Sequence, residues 1–234
     1  MNNYENNYGL GQSQSVDAIV SQTMKQVYFR MFLALLVTAF VSMWATGSEM
    51  FWSILLNNSS AIWILMLVEI GLVIAISGAI NRLSAAAASG LFFLFAIVNG
   101  LSLAPIFIIY TGASIAKTFF ITAGTFGAMS VYGYFTNRDL SKFGSILIMA
   151  LFGLVICSLV NIFMQSDSLQ WIISIAGVLI FIGLTAWDTQ KIKVMAASMP
   201  DADHSKLATI GALSLYLDFI NLFLYLLRFF GNRR

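Results

Sequence analysis

The chain has 234 residues, of which 59% are hydrophobic and only 9% charged, with a formal net charge of +2. Soluble domains run roughly 45–50% apolar and about 25% charged, so a soluble two-domain enzyme is excluded, and so small a net charge argues against nucleic-acid binding. The apolar residues come in continuous runs rather than alternating, which disfavours a membrane β-barrel, and they suffice for about seven spans of about 20 residues each.

Residues 1–22 are rich in Asn, Gly, Ser and Gln. Such a stretch buries too little apolar surface to order itself and reads as a flexible polar N-terminal tail. It lacks the basic start and cleavage site of a signal peptide. Residues 23–234 form the transmembrane domain. Seven apolar segments are predicted in it, at about 29–47, 61–80, 84–110, 115–135, 144–164, 170–188 and 209–230. Short polar breaks separate them. In hydrocarbon every backbone N–H and C=O must be satisfied within the segment, so the spans are helices. The expected fold is an all-α integral membrane protein, a seven-transmembrane-helix bundle. Pro105 sits inside the third span and is expected to kink it. Small residues such as Ser84–Gly90, Gly124, Gly127, Gly153, Gly177 and Gly183 are read as close-packing positions between helices.

Lys and Arg in short loops set orientation. With the N-terminus cytoplasmic, the inner loops hold Lys25, Arg30, Arg82, Arg138, Lys142, Lys191, Lys193 and Lys206, against Lys117 alone outside. Arg228, Arg233 and Arg234 then fall outside if the seventh segment crosses. It is long enough to do so, and crossing is the expectation. Compactness and the absence of targeting signals point to a bacterial inner membrane.

Cys157 is the only cysteine and His204 the only histidine. No disulfide is available within the chain, no Cys/His cluster exists for zinc or haem, and no phosphate loop or serine elbow is present. No cofactor is expected. The chemistry then rests on ionisable groups inside the bilayer, which cost roughly 2.5–3.5 kcal/mol each. Asp188 ends the sixth segment and Asp218 lies within the seventh. The two segments are consecutive and antiparallel, and both aspartates are equidistant from Asp203 in the connection. They are therefore expected at similar depth, facing each other near the cytoplasmic end. Two carboxylates about 4 Å apart repel by about 4 kcal/mol at an effective dielectric near 20. Such a pair shares one proton and acts as a pH switch. Ionised, it is a hard oxygen site suited to calcium. Glu69, midway along the second segment, is the third acid. Its best candidate partner, Arg82, is about 20 Å away along a straight helix, so contact needs a bend, water or another span. Asn99, Asn161 and Asn221 are further polar groups in the spans, the last two read as interhelical glue.

Several strings resemble one known family. LSLYLDFINLFLYLLRFFG (Leu213–Gly231) is similar to the last segment of the Bax-inhibitor, or transmembrane Bax inhibitor motif, family. WDTQKIK (Trp187–Lys193), NGLSLAPIF (Asn99–Phe107), TNRDLS (Thr136–Ser141) and VYFRMFLALLVTAFVS (Val27–Ser42) resemble its other motifs. The likeness covers the whole chain after the tail. It implies a central C-terminal helix wrapped by six others, and a pH-sensitive calcium leak or channel with calcium as permeant ion. It places the family's paired aspartates at Asp188 and Asp218, its second-span acid at Glu69 and its buried arginine at Arg82. Trp187 stands where the family usually has tyrosine.

The leading expectation is thus a pH-sensitive calcium-permeable channel gated by Asp188 and Asp218, with Glu69 and Arg82 supporting the pathway or latch. Its partners are the bilayer, calcium ions and protons. One alternative is a non-transporting regulator that binds other membrane proteins, such as a membrane protease. Another is an intramembrane aspartyl protease, against which stands the absence of a Gly-x-Gly-Asp pattern around Asp218.

Overall fold

The computed structural model describes residues 2–58, 60–199 and 203–234, with side chains from Val16 onward. The described chain is helical: α1 (Asn2–Thr46), α2 (Glu49–Asn57), α3 (Ala61–Ala79), α4 (Ala85–Leu103), α5 (Ile106–Ile109), α6 (Gly112–Phe135), α7 (Ser141–Met164), α8 (Asp167–Ser198) and α9 (His204–Phe230). The β-pairing among the described residues is one antiparallel bridge, Tyr110 to Arg233.

Six helical stretches are long and apolar enough to cross a membrane: Val16–Thr46, Ala61–Ala79, Ala85–Ile109, Ser141–Met164, Asp167–Ser198 and His204–Phe230. The multi-pass membrane class follows. The fourth predicted span, 115–135, now α6, is 24 residues long, about 36 Å, but more polar than the rest. Its inward stripe explains why: Ser114, Thr118, Thr122, Phe126, Ser130 and Gly133 are buried at helical spacing.

Several predicted boundaries move. Val16, Val20, Met24, Val27 and Met31 form one stripe of α1 that packs into the main core, so the packed chain begins before residue 22. The period of these residues matches a helix face, which an average over polar composition hides. The rest of the predicted tail falls on residues whose side chains lie outside those described. The break at Gly47–Ser60 holds the short helix α2, capped by Ser48, whose Oγ accepts from Phe51 N. The sixth segment does not stop at residue 188. The stretch 189–198 continues α8, because Ile192 and Ala196 bury inward at helical spacing while Lys191 stays exposed. The connection to α9 shrinks accordingly.

Pro105 interrupts the third span between α4 and α5 as expected. Ser42 Oγ donates to Gly100 O at 2.7 Å and Thr46 Oγ1 to Ala104 O at 3.2 Å, so hydroxyls of α1 serve carbonyls beside the break. Hydroxyl partners of this kind let a broken helix survive in hydrocarbon.

The last helix, α9, packs against α1, α4, α6 and α8. It is apolar nearly all round, the pattern of a fully enclosed helix, and Leu215, Tyr216 and Leu222 are wholly buried. It also runs the length of the bundle. At its start Arg30 of α1 donates to Ser205 O and Ser205 Oγ (2.6 and 2.7 Å) and to Thr209 Oγ1. Beyond its end, Thr111 N donates to Asn232 O at 3.2 Å and Arg234 N to Ile109 O at 2.9 Å. These two ends belong to opposite faces of the bundle, since α1 starts at one and the α5–α6 turn lies at the other.

Candidate functional site: two carboxylates between the last helices

Asp218 occupies the middle of α9 and is 4% exposed. Enclosure of α9 by four helices keeps its side chain from lipid. Its Oδ2 has no hydrogen-bond partner, and neither do the buried Thr189 Oγ1 of α8 and Ser130 Oγ of α6. Three mutually packed helices thus each contribute one unpaired oxygen to the interior. Buried polar groups are ordinarily paired, so each of these oxygens is an exception to ordinary packing.

Asp188 lies ten residues before the end of α8, half-buried and within electrostatic range of Asp218. The counting argument puts these two residues at one level; in the structure the register differs. Gly177 of α8 lies against the Tyr225 ring of α9, and Gly211 of α9 against Ile192 of α8. These contacts set Asp188 level with residues 214–215, so Asp218 is about one turn, or about 5 Å, deeper. Asp218 accordingly sits at mid-bundle rather than near the cytoplasmic end.

The surroundings of Asp188 are rigid. On its other side Lys191 lies close enough to act on its charge, and the Lys191 Nζ sits 4.9 Å from the centroid of the Trp187 ring. The indole of Trp187 lies against Gly144 of α7, where any Cβ would collide with it. The loop 136–140 is tied to α8 two residues past Asp188. Leu140 N donates to Gln190 Oε1 and Gln190 Nε2 donates to Arg138 O, both at 2.8 Å. Lys193 Nζ donates to Tyr134 O at 2.7 Å. Within that loop, the Ser141 N–H donates to Asp139 at 2.9 Å and holds its carboxyl below the usual carboxylate range. That contribution is present above the ordinary carboxylate value and is lost as pH falls through the lowered one. Gln190→Ala removes two bonds worth about 1 kcal/mol each, so the Leu140 amide is expected to exchange with deuterium roughly 10–100-fold faster. Unchanged exchange at Leu140 would mean that the loop is held by something else.

Glu69 and Arg82 are not brought together. Arg82 is exposed in the turn after α3. Glu69 faces α4 instead, and its Oε1 accepts from Asn99 Nδ2 at 3.3 Å. The arginine that the bundle does hold is Arg30, which bonds to the first turn of α9. Sequence reasoning counted Arg30 only as an orienting charge. Its position just inside the first apolar segment was the available signal. Tyr216 was also missed. Its hydroxyl donates to Asn99 Oδ1 at 2.9 Å and lies 2.6 Å from Thr38 Oγ1. One tyrosine in an apolar run carries no mark of such a role.

A bundle of membrane-length helices closed around a last helix with a buried acid defines a multi-pass membrane protein. The chain belongs to the family described as inhibitor of apoptosis-promoting Bax1, whose model matches residues 20–234. This is the family to which the motifs point. Among its relatives, the Escherichia coli K12 inner membrane protein YbhL is 51% identical over 214 residues, covering 90% of this chain and 92% of that one. A protein of Borreliella burgdorferi is 46% identical over 227 residues, covering 96% and 98%. A Rickettsia prowazekii protein is 43% identical over 223 residues, covering 95% and 94%.

Proposed function

We propose that the protein is a calcium-permeable leak of the bacterial inner membrane whose opening is set by protons on Asp188 and Asp218. The observation that carries this reading is the pair itself: a wholly enclosed carboxylate with an unpaired oxygen on the central helix, within electrostatic reach of a second carboxylate on the neighbouring helix. With both ionised, two unit charges offset by one helical turn repel by up to about 3 kcal/mol at an effective dielectric near 20. Adding a proton removes that repulsion and biases the packing of α8 against α9. When ionised, the pair offers hard oxygens to a passing divalent cation. Calcium is the permeant ion and not a resident cofactor.

The test is calcium flux into proteoliposomes across about pH 5–8, the range in which a shared proton is expected to move. Wild-type flux should change by up to about tenfold per pH unit, the limit for one proton. Asp188→Asn and Asp218→Asn should each flatten the profile. If both variants keep the wild-type profile, the latch is wrong. If no flux occurs at any pH, the leak is wrong and the regulator reading takes its place.

The inner-membrane assignment is supported by the printed name of the Escherichia coli relative. A cytoplasmic N-terminus is supported by eight Lys and Arg on that side against four outside, Lys117 with Arg228, Arg233 and Arg234. With α9 running the whole bundle, the C-terminus lies outside. Alkaline phosphatase joined after Arg234 should therefore be active in cells. An inactive fusion beside a fluorescent cytoplasmic reporter at the same position would reverse the topology.

A further inference from the structure

A chain of hydrogen bonds crosses four helices away from the aspartate pair. Glu69 of α3 lines a groove of about 440 Å³ together with Asn99 and Ser102 of α4 and Leu217 and Asn221 of α9. From Glu69 the chain runs to Asn99, then to Tyr216, then to Thr38 of α1, whose Oγ1 is also 2.9 Å from Ala96 O. Tyr216 and Thr38 are buried, and Glu69 is half-buried at the groove end.

The hydrogens in this chain can be counted. Tyr216 touches Asn99 and Thr38 but has one hydroxyl hydrogen. Thr38 touches Tyr216 and Ala96 O and also has one. With the Asn99 oxygen turned toward Tyr216, the three contacts cannot all be made at once. Two arrangements join every neighbour along the chain. In the first, Thr38 donates to Tyr216, Tyr216 to the Asn99 oxygen, and the Asn99 nitrogen to Glu69. This one ends on an acceptor and suits an ionised carboxylate, which can only accept. In the second, a protonated Glu69 donates to the Asn99 oxygen, the turned amide nitrogen donates to Tyr216, Tyr216 to Thr38, and Thr38 to Ala96 O. The 2.9 Å approach of Thr38 to Ala96 O has a use only in the second.

We propose that Glu69 is a proton-binding site separate from Asp188 and Asp218, and that its proton reverses the direction of the Glu69–Asn99–Tyr216–Thr38 chain. The ligand is a proton that arrives through the groove. Its binding is read at the central helix by Tyr216 and at α1 by Thr38. Charged groups do not compete. No other acid or base lies on α3 and none on α4, α2 carries only Glu49 at its exposed first residue, and Arg82 is exposed beyond the end of α3. From α9 the titratable group facing Glu69 is Tyr216, while Asp218 faces Asp188. The inference does not depend on calcium permeation.

The test is infrared difference spectroscopy of the full-length protein in lipid nanodiscs, stepped across about pH 5–8. A protonated-carboxyl band absent from Glu69→Gln marks Glu69, and a phenol band absent from Tyr216→Phe marks Tyr216. In wild type the two should change with one midpoint. In Glu69→Gln the Tyr216 band should stay at its acid position throughout, because the new amide donates as the protonated acid does. Asp188→Asn and Asp218→Asn should leave both bands moving together. Asn99→Leu gives a second route if Glu69→Gln fails to fold. It should keep the carboxyl band and abolish the Tyr216 shift. A Tyr216 band that still moves in Glu69→Gln or Asn99→Leu overturns the proposal. So does the absence of any Glu69 band across the range.

Discussion

Asp218→Asn will make the protein harder to unfold and will flatten the proposed pH response. The exchange keeps the side chain's shape and deletes a charge that faces Asp188 and carries an oxygen with no partner. The amide still leaves a buried polar group at that place, so the gain comes from the charge alone: repulsion costs up to about 3 kcal/mol at an effective dielectric near 20 while both acids are ionised. At pH 8 the variant should therefore gain about 1–3 kcal/mol in denaturant unfolding in micelles. Groups retained against stability are the ones a function needs. A variant less stable than wild type at pH 8 would assign Asp218 to packing, and the switch would have to be sought elsewhere.

Gly133→Ala will damage the fold more than any other single methyl group added to α6. A Cβ at this position would overlap the carbonyl oxygen of Ala186, which is α8 backbone and has nowhere to go. Overpacking ordinarily costs about 1–3 kcal/mol, and a collision with backbone belongs at or above the upper end. The contact lies two residues before Asp188, so the displacement also carries the carboxylate. The control is on the same helix. Gly124 and Gly127 have nothing within 4 Å of an added Cβ, and alanine there should be neutral or stabilise by about 0.5–1 kcal/mol through lower backbone entropy in the unfolded chain. Thermal unfolding in detergent of the three variants tests the idea. Equal behaviour would mean that α6 and α8 are free to separate.

The sequence makes the spans legible because the hydrocarbon penalty on bare backbone forces long apolar runs into helices. α3, α7 and α9 fall close to their predicted ranges for that reason. Elements that obey a different rule are missed. The packed start of α1 and the extension of α8 past residue 188 are amphipathic, and their signal is period rather than mean hydropathy. α2 is nine residues long, too short for either signal to stand out. At the candidate site, Asp188 and Asp218 were recoverable because charge in an apolar run is conspicuous. Their one-turn offset was not, because it depends on where α8 ends, and Lys and Gln hid that end. Asn99 was noticed as a polar outlier, but its bonds to Glu69 and Tyr216 depend on helix rotation about three axes. Nothing in a linear string encodes that rotation.

The short backbone pairing of Asn232 and Arg234 with Ile109 and Thr111 fastens the far end of α9 to the turn between α5 and α6. A rod pinned at one tip cannot work as a piston. If the innermost carboxylate travels, it does so by swinging or flexing about that fastening, with the largest sweep at the His204 tip, where Thr23 and Arg30 of α1 hold it.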